Sequence, residues 1–188
     1  MDNNFLKQLL REKRVFPLVG EINKNTAEEL RGNIAVASLV DPQKEIYIVF
    51  DSGGGNIEPS LHTYDLIKSV SNPVIGIVNG RCHSSALTIY CACTKRLSLP
   101  HSSFFFHAIE TGANMKSTDD EEMAMIEFKK VQKYFIESTT NVYVKNFNLA
   151  KEKVNELCLI GEKYRRYLTT TEAKELGVVQ EIIEKLPF

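Results

Sequence analysis

The chain has 188 residues, 43% of them hydrophobic and 25% charged, with 23 basic and 24 acidic side chains and a formal net charge of -1. That length suits one domain with a sizeable core; the charge balance offers no basic surplus to argue for nucleic acid, and no apolar run is long enough to span a membrane. The amino terminus, Met1-Asp2-Asn3-Asn4-Phe5, lacks the basic-then-apolar pattern of a secretory signal, and Cys82, Cys91, Cys93 and Cys158 form no CxxC pair, so no zinc site is expected and reduced thiols in the cytoplasm are the simplest account.

In chain order, Phe5, Leu6, Leu9 and Leu10 share one helical face behind an Asp2/Asn3 cap and predict a short helix. Arg14 to Val19 reads as a strand ending at Gly20, with Pro17 arguing for an edge or irregular position. Thr26-Ala27-Glu28-Glu29 is a capping-box pattern. It predicts a helix with Leu30, Ile34, Ala37 and Leu39 facing inward, ended by Asp41-Pro42. Glu45 to Phe50 is apolar on both faces, as in a covered parallel sheet. The run Asp51-Ser52-Gly53-Gly54-Gly55-Asn56 follows. Its glycines suit a phosphate cradle, a backbone oxyanion donor or a plain turn, and the Lys-Ser/Thr ending of a P-loop is missing. Ile57, Leu61, Tyr64 and Ile67 mark a helix face, and Asn72-Pro73 breaks it.

Val74 to Val78 predicts the next strand. Gly80 and its small neighbours predict a turn, and Ala86 to Cys93 predicts a helix. Ser84 then falls at a helix amino terminus, where free N–H groups favour developing negative charge and suit a nucleophile. Ser84 or Ser85 as a simple helix cap is the other reading of these residues. Arg96 to Leu99 and Ser103 to Phe106 predict two further strands, with His107 at the end of the second. Thr118 to Glu121 opens a long helix to about Lys145, with an imperfect stripe of Met123, Ile126, Val131, Phe135 and Val142. Asn148 begins another helix, ending at Gly161. Thr169 to Glu172 caps one more, closed by Gly177, and Val178 to Ile183 is a last strand. The alternation of strands and helices predicts an α/β fold with a parallel sheet and right-handed crossovers. No internal repeat or linker divides it.

Five blocks, in order, resemble the proteolytic subunit of the Clp protease (ClpP), within the wider ClpP/crotonase fold family. Arg14 to Gly20 looks like the family's first strand. Phe50 to Asn56 is similar to its Asn-Ser-Pro-Gly-Gly turn. Gly80 to Ala86 stands where the family has Gly-Gln-Ala-Ala-Ser-Met-Gly. Leu99 to His107 matches its Leu-Pro-Asn-Ser block and the strand that ends in a histidine, and Tyr167 to Val179 resembles its carboxy-terminal aromatic-Leu…Glu-Ala…Gly-Leu-Val. The resemblance implies one ClpP-like domain over 1–188, with repeated β-β-α units, a parallel sheet and a protruding long helix, the handle, over about 112–148. It makes Ser84 the nucleophile, His107 the general base, and Gly55 and Ser85 the backbone oxyanion donors. His83 is adjacent to Ser84, where side chains diverge, and His62 and His101 read as surface or structural.

The sequence departs from the family pattern at named positions. Arg165 occupies the place of the catalytic acid, in Arg165-Arg166-Tyr167-Leu168; Glu162 is the nearest carboxylate in sequence, and Glu110 and Asp119 are candidates through folding. Ala108-Ile109 replaces Gln-Pro, Gly53 replaces proline, Ser85-Ala86 replaces Met-Gly, and Gln180 replaces an acid. The segment before Arg14 is short, so the loops through which the family meets an AAA+ unfoldase look truncated. The leading expectation is a cytoplasmic serine peptidase that cleaves unfolded polypeptides inside a homo-oligomeric ring or stacked rings, without cofactor, metal, nucleic acid or membrane. A catalytically inactive structural subunit is the alternative, favoured by Arg165. A crotonase-type acyl-CoA enzyme is the second, opposed by the Ser84/His107 pair and the short chain.

Overall fold

The computed structural model describes residues 8, 10–108, 121–164 and 166–188, with the backbone alone at 121 and 162. The expected helix over Phe5 and Leu6 and the expected cap at Thr118 lie outside the described residues. The first half alternates β1 (Val15–Ile22), α1 (Lys24–Val40), β2 (Ile46–Gly55), α2 (Ile57–Ser69), β3 (Val74–His83), α3 (Ser85–Ala92) and β4 (Lys95–Ser98). Then come β5 (Ser103–Phe105), α4 (Glu121–Phe147), α5 (Lys151–Tyr164), β6 (Leu168–Thr169), α6 (Thr170–Glu175) and β7 (Glu181–Ile182). The sheet order is β1-β2-β3-β4-β7, with β5 on β3 and β6 on β5. All described pairings are parallel except β5 with β6. The α/β class, the parallel sheet and the long helix are as the sequence implied.

The core forms where strand period and helix period meet. Ile46, Ile48 and Phe50 turn one face of β2 into full burial, against α3, all eight residues of which are buried. Tyr90 sits at the centre, edge-on to Phe50. Each fully buried aliphatic or aromatic side chain here contributes about 1.5–3 kcal/mol over exposure. The other sheet face is covered more thinly by a cluster around Ile75, Ile77 and Leu97.

Several boundaries differ from the sequence expectation. Helix α1 starts earlier, because Asn23 is the cap: its Oδ1 accepts from the Asn25 and Thr26 N–H groups, and Thr26 Oγ1 accepts from the Asn23 N–H. Asn caps as well as Thr and comes first. Leu39 points outward, 85% exposed, beyond the buried row Ala27, Leu30, Ile34 and Ala37. The glycine run is strand rather than turn: Gly54 and Gly55 pair with Glu21 and Ile22 of β1. A Cβ at Gly55 would lie 2.2 Å from Ile22 O, so only glycine lets the two strands close.

Gly80 is also within a strand. Phe50 pairs with Val78 and Ser52 with Cys82, so β3 carries two extra residues in a bulge around Gly80, φ 133°. Before the bulge β3 pairs with β4; after it, Arg81 to His83 pair with β5. Asp51 Oδ1 accepts from both the Arg81 backbone N–H and its guanidinium, which holds the bulge and keeps the Asp51 carboxyl below its usual range. The chain turns at Ser84 instead. Helix α5 runs through Gly161 to Tyr164, and only Glu181–Ile182 of the expected last strand pairs, because the Val178 and Val179 N–H groups donate to Ala173 O of α6. Thr169 and Glu172 form the expected capping box of α6. In α4, Thr139, Thr140, Tyr143 and Phe147 are buried while Met123, Ile126, Val131 and Tyr134 are exposed, so the outer part of the helix stands away from the core. No described helix is long and apolar enough to cross a membrane.

Candidate active site

The bulged end of β3 delivers Ser84 to the junction of β3, β5 and α3. Ser84 has φ 53° and ψ -128°, an unfavourable conformation for a side-chain-bearing residue, which costs on the order of 1–3 kcal/mol. Its backbone is held on both sides. The Ser84 N–H donates to Phe105 O at 2.8 Å, and Ser84 O accepts from the Leu87 N–H at 3.0 Å and from the Tyr143 hydroxyl at 3.3 Å. Ser84 stands at the N-cap of α3, but its side chain makes no cap bond. The Oγ is directed elsewhere: it lies 2.6 Å from His107 Nε2. The capping reading of Ser84 is therefore not what the geometry adopts.

His107 follows β5 by two residues, and its neighbour Phe106 anchors it. Phe106 is buried edge-on to Tyr143 and Phe147. Gly161 brings the backbone of α5 against the Phe106 carbonyl. Gly55 and Ser85, the expected oxyanion donors, line the same cleft as Ser84 and His107. Gly54 packs behind them: a Cβ there would lie 2.7 Å from Ser84 Cβ and 2.8 Å from His83 O. The cleft encloses about 550 Å³. Its walls are the start of α2, at Asn56 to Pro59, and the α4 residues Phe128, Val131, Gln132, Phe135 and Thr139.

The other histidines do not meet Ser84 Oγ. His83 bonds Ser103 Oγ at 2.9 Å on the other side of the strand. Burial, and then the Arg81 charge, push its pKa down to about 4, against a smaller opposing pull from Asp51, so it is neutral at pH 7. His62 and His101 are exposed. Arg165, Glu110 and Asp119 lie outside the described residues, as does the side chain of Glu162. Among the described residues no carboxylate is hydrogen-bonded to His107. Arg166 pairs with Glu172. Cys82, Cys91 and Cys93 are buried and unbridged, their thiols pushed up by burial, and no described group of His, Cys, Asp and Glu is placed to hold a metal.

One residue escaped the sequence reading. Tyr143 is buried, and its hydroxyl meets both Ser84 O and Thr88 Oγ1, the latter at 3.1 Å. It therefore ties α4 to the Ser84 turn. The signal was present as the i, i+4 row Val131, Phe135, Thr139, Tyr143, Phe147, which the expected stripe follows as far as Phe135 before leaving it for Val142.

Comparison with known proteins agrees with this fold. The Clp protease family model matches residues 2–186. Among solved structures, an asparagine-to-aspartate mutant of ClpP1 from Listeria monocytogenes is similar, with a TM-score of 0.80, 26% sequence identity and 96% of each chain covered. The family match spans nearly the whole chain, and the chain belongs to the Clp protease family.

Proposed function

We propose that this chain is a serine peptidase that cleaves unfolded polypeptides within a homo-oligomeric chamber, with Ser84 as nucleophile and His107 as general base. The observation that carries it is the 2.6 Å approach of His107 Nε2 to Ser84 Oγ on a strained turn. With its proton on Nδ1, the imidazole accepts the Ser84 hydroxyl proton as Oγ attacks a peptide carbonyl. The Gly55 and Ser85 N–H groups receive the developing oxyanion. The imidazolium then protonates the leaving amine, and water, activated by the same histidine, releases the acyl group. Membership of the Clp protease family favours this over the acyl-CoA reading.

Arg165 at the acid position supports a second reading, in which the chain is a structural ring subunit with a resting site. A cation cannot accept the His107 N–H, and in a well-studied serine protease loss of the acid's charge cost about 10⁴ in turnover. Peptide hydrolysis by wild type, Arg165→Asp and Glu162→Gln separates the two. A large gain in Arg165→Asp identifies a resting site. Robust wild-type turnover that collapses only in Glu162→Gln identifies an active peptidase with Glu162 as its acid.

A further inference from the structure

His107 ends a column of rings. Its imidazole lies on Phe105, with centroids 5.4 Å apart and planes inclined by 26°. Phe105 lies in turn on Tyr167, at 4.7 Å and 29°. Tyr167 closes against His83 at 5.1 Å, and His83 is fixed to β5 through Ser103 Oγ. The sequence builds this simply. Phe105 and His107 are two residues apart on extended backbone, where side chains fall on the same side. Tyr167 precedes β6, whose Leu168 pairs with Phe104, and this sets the tyrosine ring over Phe105.

We propose that Phe105 and Tyr167 are positioning residues for His107: the stack fixes the plane of the imidazole so that Nε2 stays aimed at Ser84 Oγ. This rests on the reading of His107 as the base. A ring stacked in offset against the imidazole hinders rotation about its Cβ–Cγ bond. When the Ser84 proton moves from Oγ to Nε2, the π face of Phe105 also lies against the new cation, a favourable arrangement. A catalytic carboxylate elsewhere performs these two tasks, orientation and cation stabilisation. The Tyr167 hydroxyl takes no part, so phenylalanine serves in its place.

The full chain is compared with Tyr167→Phe, Tyr167→Leu and Phe105→Leu by two measurements. Tyr167 is 50% exposed, so its substitutions leave the core intact. The first measurement is the rate at which a fluorophosphonate labels Ser84, together with peptide KM. The second is carbon-13 relaxation of the His107 ring, whose signal is assigned by its loss in His107→Gln. Tyr167→Phe matches wild type in both. The two leucine variants label about tenfold more slowly, the upper range for one aromatic contact. Their KM is unchanged, the melting temperature of Tyr167→Leu is unchanged, and the His107 ring gains nanosecond motion in both. Wild-type labelling rates and a rigid ring in the leucine variants overturn the proposal. If no form is labelled, the peptidase reading fails, and ring relaxation alone decides the stack.

Discussion

Gly161 is a sharp test of how the site is held, because two effects of Gly161→Ala oppose each other. In the interior of α5 alanine is favoured over glycine by about 1 kcal/mol. Yet a Cβ built on Gly161 lies 1.7 Å from Phe106 O and 2.9 Å from its carbonyl carbon. A carbon–oxygen contact closes to about 3.3 Å, so the helix or the Phe106–His107 segment has to give by about 1.6 Å. Phe106 cannot yield easily, since its ring is buried against Tyr143 and Phe147. Overpacking of this kind costs about 1–3 kcal/mol. The net loss is about 0–2 kcal/mol, a fall of up to about 8 °C in Tm for a chain of this size. The effect on chemistry is larger. His107 is the next residue, and a 1 Å error in a reacting group costs about 10² in rate. Gly161→Ala is therefore expected to melt a few degrees lower and to react with a fluorophosphonate at Ser84 about 100-fold more slowly. A raised melting temperature with unchanged labelling would mean instead that helix propensity outweighs the contact and that Gly161 does not hold His107 in place.

Three further outcomes are expected. Tyr143→Phe removes the donor to Ser84 O and leaves Thr88 Oγ1 without its described partner, so urea unfolding should show a loss of about 1 kcal/mol, with slower labelling of Ser84; equal stability and rate would deny the tie between α4 and the turn. His83 takes its proton near 6.5 when unfolded and near 4 when folded, so between those values only the unfolded chain binds it. Its contribution to stability is full above about pH 6.5 and is lost as pH falls toward 4, and His83→Gln should flatten the dependence of the urea midpoint on pH across that window. The outer part of α4 exposes Met123, Ile126, Val131 and Tyr134, an apolar face that suits a second copy; light scattering should give a multiple of 21.3 kDa that Ile126→Glu reduces, and a wild-type monomer at micromolar concentration would sink the expectation.

The strands and most helices were legible because their periodicity and punctuation are strong: Ile46 to Phe50, Val74 to Val78 and Ser103 to Phe105 are where the pattern put them. Ser84 and His107 were legible from their places after a strand and within matched blocks. What the sequence hid was the work of its glycines. By composition Gly80 read as a turn, and the Gly54–Gly55 run as a turn, a phosphate cradle or an oxyanion donor, but the strands continue through them: the Ser84 turn at Gly54, Ile22 of β1 at Gly55 and the Asp51 side chain at Gly80 come too close for a Cβ. Gly161 read as a helix end for the same reason, whereas it marks a close approach inside α5. These contacts are made by residues far apart in the chain, so no local pattern announces them. The ring stack beneath His107 was equally hidden: Phe105 and Tyr167 are 62 positions apart and meet only because β5 pairs with β6.

The proposed peptidase stands or falls on Ser84 being a nucleophile activated by His107. Intact mass and peptide mapping after fluorophosphonate treatment test it most directly. One adduct per chain is expected, on the peptide carrying Ser84, absent in Ser84→Ala and strongly slowed in His107→Ala. No adduct on the wild type, or an adduct that persists in Ser84→Ala, would contradict it.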